Sequence, residues 1–503
     1  MIPLILPGAL FLISLYLRLA FISKGVYYPD CLTLVDASRQ IVDAGNFVPY
    51  LTGNNLPVIL GAGFIRLCRL FGQNDPVFAI NLMSVVFSAF AVSALYFFCK
   101  TILDEWTALF ASLSLMVLPL FLSLSTYGNS QAPALFFVLM GFSYLAEFKD
   151  HRIGTCLTSA LFFGLAGACR PQDILFLAIA ISSLFLVAVE DRSSGGRSLS
   201  VWDKVLLFVC FWVTVIFCIL LVAIPFQFQV AAAPAAGFLV QLASLCGLYA
   251  HHMAKLCDHF AFSSLTLWWV LGPMALVVFA GGFLLVRSFV GVFVVLMLWC
   301  IIPWVIYSCI IPNTMYVQRY YLISLVPLMV MQGYALKAIS QKCGKIVSVI
   351  VVSCFVVLLL VQFDRSLKVL AFRHSRAVSE DFGRWIGQKT EEDALIICRD
   401  ENIFITTYGK RAIMLLPSAQ GTVWGHHYQR WLAEKMTSHR QLYVVVPPPS
   451  AMVAEDIGFI DYLKRNYRLE VVGTEYFEFW ANSLMELCII PERLYRISPV
   501  SGG

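Results

Sequence analysis

The chain is predicted to be a polytopic α-helical membrane protein of about eleven spans, followed by a soluble C-terminal α/β domain. Three observations carry that expectation. Of 503 residues, 60% are hydrophobic and 13% charged, and the mean hydropathy is +0.80, far from the balance of a soluble domain. Apolar runs long enough to cross a bilayer recur along the first 363 residues. The charges gather beyond those runs. Residues 1–363 hold 18 basic and 13 acidic residues, whereas residues 364–503 hold 17 of each. The net charge of +5 therefore belongs to the membrane portion, and no basic tail for nucleic acid is present.

In chain order the runs lie near 2–22, 77–99, 107–124, 131–147, 155–169, 172–189, 205–226, 265–286, 288–311, 320–338 and 346–363. The first lacks a basic start and a small-residue cleavage site before Lys24, so it reads as a span and not as a signal peptide. Basic residues in short loops set orientation. With a cytoplasmic N-terminus, Lys100, Lys149, Arg152, Arg192, Arg197, Lys204, Arg287, Lys337, Lys342 and Lys345 fall inside. Seven others, including Lys24, Arg170, Lys255 and Arg319, fall outside. The modest bias places the first loop, residues 24–76, and the tail, residues 364–503, on the same extracytoplasmic side.

Fifteen cysteines do not form a disulfide pattern. Most, such as Cys99, Cys156, Cys210, Cys218, Cys300 and Cys354, sit inside apolar runs as small hydrophobes, and no CxxC metal spacing occurs. In the tail, Cys398 and Cys488 fall in predicted strands and leave a bridge open. The tail alternates a helix at 377–390, strands at 394–398 and 411–416, a helix near 427–437, a strand at 441–446, a helix near 453–465 and strands at 467–476 and 484–490. That order suggests a layered α/β domain. No nucleotide-binding fingerprint occurs in it. Trp424, His426, His427, Tyr428 and Trp431 form a cluster that suits packing better than a sugar or head-group contact.

The segment from Pro29 to Gly45 is the most informative. Apolar residues at 31, 34, 35, 41 and 42 follow a helical rhythm, while Asp36, Arg39 and Asp43 share the opposite face and can pair. This describes an amphipathic helix lying on the membrane surface, with Asp30 at its expected N-cap. A cap is one role for Asp30. The positive end of the helix also keeps the carboxylate ionised, as a waiting general base requires.

In this register, Asp30, Asp36, Arg39 and the ending Gly45-Asn46-Phe47-Val48-Pro49 resemble the first external loop of the C-type, lipid-sugar-dependent glycosyltransferases. The likeness is nearest to the protein O-mannosyltransferase and lipid A aminoarabinose transferase branch. The following GNNLPVILGAGFIRL, with Pro57, echoes the next loop helix. Cys169-Arg170-Pro171-Gln172 is similar to the motif opening a later span, and Tyr316-Val317-Gln318-Arg319-Tyr320-Tyr321, with Pro327, to the Arg-Tyr start of a late span. The resemblance covers residues 5–335. Two positions depart from it. Cys31 breaks an acidic doublet, and Gln131 in GNSQAP stands where a second carboxylate is expected.

The resemblance implies an inverting glycosyltransferase that moves a monosaccharide from a polyprenyl phosphate donor to a hydroxyl acceptor (lipid, glycan or protein) at the extracytoplasmic face. Asp30 is then the base that deprotonates the acceptor, and Arg319 and Arg170 hold the departing phosphate. Asp36 and Arg39 support the first loop. No cofactor is expected. The two departures favour catalysis without metal, since a carboxylate-bound cation wants several oxygen ligands, although a divalent metal stays open. The expected setting is the bilayer of a bacterial inner membrane with the active face in the periplasm.

Other polar residues carry less. Asp173 can pair with Arg170 three residues away, and His251, His252, Asp258 and His259 read as interfacial residues. Three rival classes stay open. A lipid-linked glycan ligase or polymerase would use a diphosphate donor and a large late external loop rich in Arg and His, whereas the informative loop here is the first and is acidic. A multispanning lipid or glycan transporter should show related halves or broken helices at the midplane, and no clear internal repeat is seen. A catalytically inactive assembly subunit would tolerate loss of Asp30.

Overall fold

The computed structural model describes residues 5–27, 29–48, 54–148, 153–190, 200–227, 274–310, 317–342, 344–398, 404–415, 434–435, 441–446, 454–480 and 487–499. Two compact units result. One is helical and comprises Met1–Ile22 and Thr33–Ala371; the other, here the C-terminal unit, comprises Phe372–Gly503 together with Ser23–Leu32.

The helical unit opens with α1 (Ile5–Leu19), α2 (Pro29–Ala44, which enters it at Thr33), α3 (Asn55–Leu70), α4 (Pro76–Ile102), α5 (Glu105–Val117) and α6 (Pro119–Leu124). Next come α7 (Gln131–Ala146), α8 (Ile153–Cys169), α9 (Pro171–Glu190) and α10 (Val201–Gln227). Then follow α11 (Met274–Ser288), α12 (Val290–Ile310), a 3-10 turn (Val317–Tyr321), α13 (Leu322–Lys342) and α14 (Lys345–Ser375, whose last residues from Phe372 belong to the C-terminal unit). Among the described residues, segments of α4, α9, α10, α12 and the turn with α13 are long and apolar enough to cross a membrane. Shorter apolar helices occupy the other predicted runs. The chain is thus a multi-pass membrane protein.

Punctuation in the sequence sets the helix ends. Asp75 accepts from the Val77 N–H and Asp104 from the N–H groups of Trp106 and Thr107, capping α4 and α5. The run at 107–124, which reads as one span, is two helices. Pro119 supplies no N–H, and Leu118 turns to φ −55°, ψ 121° at the break. Packing then relies on close fits between apolar faces. A Cβ on Gly333 of α13 would lie 2.6 Å from the Thr107 carbonyl oxygen, so only glycine lets α13 approach α5 so closely. Trp299 of α12 stacks on Phe142 of α7 with centroids 4.0 Å apart.

The C-terminal unit holds α15 (Val378–Lys389), β1 (Leu395–Cys398), a π turn (Ile405–Gly409), β2 (Ala412–Leu415), β3 (Leu442–Val446), α16 (Ala454–Asn466), β4 (Tyr467–Trp480) and β5 (Leu487–Pro499). The sheet order is β2-β1-β3-β5-β4. The β1–β2 and β1–β3 pairs are parallel, and the pairs with β5 antiparallel. Both faces of the central strands are buried. Val378, Phe382 and Ile386 of α15 cover Ile396, Tyr443 and Val445, while Phe459, Ile460 and Leu463 of α16 cover Leu395, Ile397 and Val444. This explains why β1 and β3 read as unbroken apolar runs. Cys398 is buried in the core between α15 and the sheet. The predicted helix near 427–437 lies almost wholly outside the described residues, as does the aromatic cluster from Trp424 to Trp431.

Candidate functional site

The loop before α7 is shaped by α4. Asn81 accepts from the Gly128 N–H at 2.7 Å, and Ser84 accepts from the Asn129 N–H at 3.0 Å. The Asn129 side chain in turn accepts from the Ala132 N–H at 3.0 Å. These bonds settle the GNSQAP segment and fix Ser130 and Gln131 at the start of α7. Arg170 occupies the junction of α8 and α9, where Pro171 opens the second helix.

Arg170 is buried and donates through Nε to Asp173 Oδ2 at 2.7 Å, one helical turn along, as its sequence spacing suggests. It also donates through Nη1 to Ser130 Oγ at 3.3 Å. The other carboxylate oxygen of Asp173 accepts from the Tyr307 hydroxyl of α12. Burying an ion pair is costly unless its remaining positions are satisfied. Here both partners have further hydrogen bonds.

Arg319 reaches the same place from the 3-10 turn. Its guanidinium lies 5.0 Å from the Tyr320 ring centroid and Arg170's lies 5.4 Å from it, so one aromatic ring contacts both cations. Arg319 Nη2 donates to the Tyr320 hydroxyl at 3.1 Å, and the Tyr307 and Tyr320 rings are 5.2 Å apart. Gln131, Leu135, Arg170, Asp173, Arg319 and Tyr320 line one pocket. The buried amide oxygen of Gln131 has no hydrogen-bond partner there among the described residues. Two arginines separated by 149 positions in the sequence numbering therefore converge, and among the described lining residues Asp173 is the carboxylate paired with Arg170.

The first-loop residues are placed differently. Asp30 was expected at the N-cap, but α2 begins at Pro29 and Asp30 lies in its first turn, half-buried. Proline sets the helical φ there, and its missing N–H falls where a helix has no acceptor. Arg39 pairs with Asp43 at 3.8 Å, and Asp43 also accepts from Arg69 of α3 at 2.8 Å. Burial pushes the Asp36 carboxyl above the ordinary carboxylate range, and the charge of Arg39 pulls it partly back. Asp30 clusters with the C-terminal unit, whereas Asp36, Arg39, Arg170 and Arg319 belong to the helical unit. His251, His252, Asp258 and His259 lie outside the described residues. Among the described residues no three His, Cys, Asp or Glu side chains converge as a metal site needs.

Sequence reasoning missed Tyr307 and Ser130. Tyr307 stands within the apolar run of α12, where hydropathy gives it no distinction; its one signal is a hydroxyl deep in an apolar helix.

Residues 59–217 match the family model described as dolichyl-phosphate-mannose-protein mannosyltransferase. No curated protein matches the chain in sequence. In structure it is similar to ArnT from Cupriavidus metallidurans bound to undecaprenyl phosphate, at 13% identity and TM-score 0.52, covering 98% of this chain and 97% of that one. It is also similar to the Archaeoglobus fulgidus oligosaccharyltransferase tethered with an acceptor peptide, at 12% identity and TM-score 0.54, covering 97% and 76%. A third match is AglB from the same archaeon with an inhibitory peptide and a dolichol-phosphate, at 11% identity and TM-score 0.53, covering 93% and 73%. The chain has the fold of the C-type glycosyltransferases.

Proposed function

We propose that the protein is an integral-membrane inverting glycosyltransferase, moving a monosaccharide from a polyprenyl phosphate donor to a hydroxyl acceptor at the extracytoplasmic face. The observation that carries this reading is the pocket in which Arg170 and Arg319 meet over Tyr320 while Asp173 cancels one of the two charges.

A sugar joined to a polyprenyl phosphate is a phosphodiester with a single negative charge, which the two guanidiniums attract. As the bond to the anomeric carbon breaks, the leaving phosphate gains a second negative charge. A guanidinium already in place then binds the departing group more strongly than the intact donor, and that difference lowers the barrier. Arg170, held by Asp173 and Ser130, and Arg319 together hold the donor phosphate. Asp30 takes the proton from the acceptor hydroxyl as that oxygen attacks opposite the phosphate, and one displacement inverts the centre. Asp36 and Arg39 support the first loop. A bacterial inner membrane with this face toward the periplasm is the proposed setting; the loop charges support the orientation alone.

The test is transfer from a radiolabelled panel of polyprenyl phosphate sugars in membranes holding the wild type or Asp30→Asn. Transfer that releases polyprenyl phosphate and falls about 100-fold or more in the variant is expected. Undiminished transfer by Asp30→Asn would remove Asp30 as the base, and no transfer from any donor by the wild type would favour a transporter or an inactive subunit.

A further inference from the structure

Ser23–Leu32, the segment that leads into Asp30, clusters with the C-terminal unit. Contacts among the described residues bind it there. The Lys24 N–H donates to the Arg373 carbonyl at 3.0 Å. Ser379 Oγ of α15 donates to the Tyr27 carbonyl at 2.9 Å. The Arg373 guanidinium lies 3.8 Å from the centroid of the Tyr27 ring. Tyr27, Arg373 and Ser379 are all buried. The backbones also approach closely at Gly25, where a Cβ would fall 2.7 Å from the Ala377 Cβ and 2.9 Å from its Cα. Only glycine fits there.

These contacts are more specific than a tether needs. A buried guanidinium is expensive, and an apolar side chain of similar volume commonly stabilises a fold as well or better. What the guanidinium adds over a ring face is a fixed arrangement. Ser379 and Phe382 belong to α15, whose apolar face is packed on β1 and β3, so the contact to Tyr27 is referred to a rigid sheet. Asp30 follows Tyr27 by three positions in the sequence.

We propose that the C-terminal unit is the positioning device for the catalytic carboxylate, with Arg373 and Ser379 holding Tyr27 and, through the short intervening backbone, Asp30. This rests on the reading of Asp30 as the base. Displacing a reacting group by an ångström or so is enough to slow a step about 100-fold, so the clamp acts on turnover and leaves donor binding alone.

The experiment is a double-mutant cycle on the full chain in membranes. Transfer from the polyprenyl phosphate sugar that the wild type uses is measured for Arg373→Met and Ser379→Ala, each alone and combined with Asp30→Asn. Arg373→Lys, which retains a cation for the ring, is the conservative control. Expected are a kcat loss of roughly tenfold or more with donor KM unchanged, substantial rescue in Arg373→Lys, and less than about a twofold further loss in the Asp30→Asn background. Hydrogen exchange of the amides of residues 23–32 should quicken in Arg373→Met. Equal fold losses with and without Asp30 overturn the clamp while leaving Asp30 as the base. Full transfer by Asp30→Asn overturns the base and the clamp together. Wild-type kcat and wild-type exchange in Arg373→Met and Ser379→Ala overturn the clamp outright.

Discussion

Tyr307 donates its hydroxyl to Asp173, the carboxylate that pairs with Arg170. A residue of α12 thereby holds the counter-ion of an arginine at the start of α9. The ion pair is local in sequence, but its orientation is not.

Tyr307→Phe removes that bond and leaves the ring contacts to Phe176 and Tyr320. Loss of a hydrogen bond to a charged partner is worth about 1.5–3 kcal/mol. A fall of roughly tenfold or more in affinity for polyprenyl phosphate is expected, with the fold intact. Equilibrium binding of a labelled polyprenyl phosphate measures it, and wild-type affinity would discount the role of Tyr307.

Asp173→Asn leaves Arg170 buried without its counter-ion, a change that typically costs about 3–5 kcal/mol. An anionic ligand should restore part of that loss by binding only the folded state. The rise in Tm on adding polyprenyl phosphate is expected to be larger in the variant than in the wild type. An equal or smaller rise would mean that the anion does not reach Arg170.

Arg319→Met should weaken phosphate binding by about 10- to 100-fold, the worth of one or two charge-assisted hydrogen bonds. Arg319→Lys should recover only part, because an ammonium lacks the planar fork that reaches both phosphate and the Tyr320 hydroxyl. Three binding curves decide the order; methionine performing as well as lysine contradicts it.

Arg18 is fully buried in α1, donating to Ser14 and, at 3.2 Å, to the carbonyl of Met116 beside the α5–α6 break, with the Phe121 ring 4.9 Å away. The break at Leu118 interrupts the ladder that a continuous helix would offer that carbonyl. Arg18→Met should therefore lower stability by about 1–3 kcal/mol without changing donor KM. Thermal unfolding in detergent, beside transfer kinetics, separates this structural role from a catalytic one.

Burial alone would raise the Asp104 carboxyl, but the Thr107 N–H and hydroxyl and the Lys337 ammonium 3.2 Å away outweigh it and hold it below its ordinary value. A carboxylate depressed in the folded state contributes stability above its unfolded pKa, and that contribution is lost as pH falls through the folded pKa. The wild type should lose Tm relative to Asp104→Asn as pH drops below about 4. Parallel curves for the two proteins would show that the cap and its lysine contribute nothing that titrates.

Much of the architecture was legible because it is written in neighbouring residues. Apolar runs long enough for lipid, the α2 rhythm and the apolar strands at 395–398 and 442–446 are all local patterns. So is the Arg170–Asp173 spacing, since three positions along a helix bring two side chains together whatever surrounds them. The same reasoning put Asp30 on the cap instead of in the first turn, and merged α5 with α6 across Pro119. Helix ends depend on backbone geometry that composition specifies loosely.

By itself, then, the sequence determined a multi-pass helical protein, the order of its apolar segments, and the residues able to carry charge at their ends. The tertiary structure alone decided that Arg170 and Arg319 share the Tyr320 ring, that Tyr307 anchors Asp173, and that residues 23–32 gather with the C-terminal unit. The physical reason is the solvent. Lipid is as apolar as the helices it surrounds, so hydropathy marks which segments enter the bilayer but not which faces meet. Those meetings are chosen by close packing and by the few polar groups that must find one another away from water.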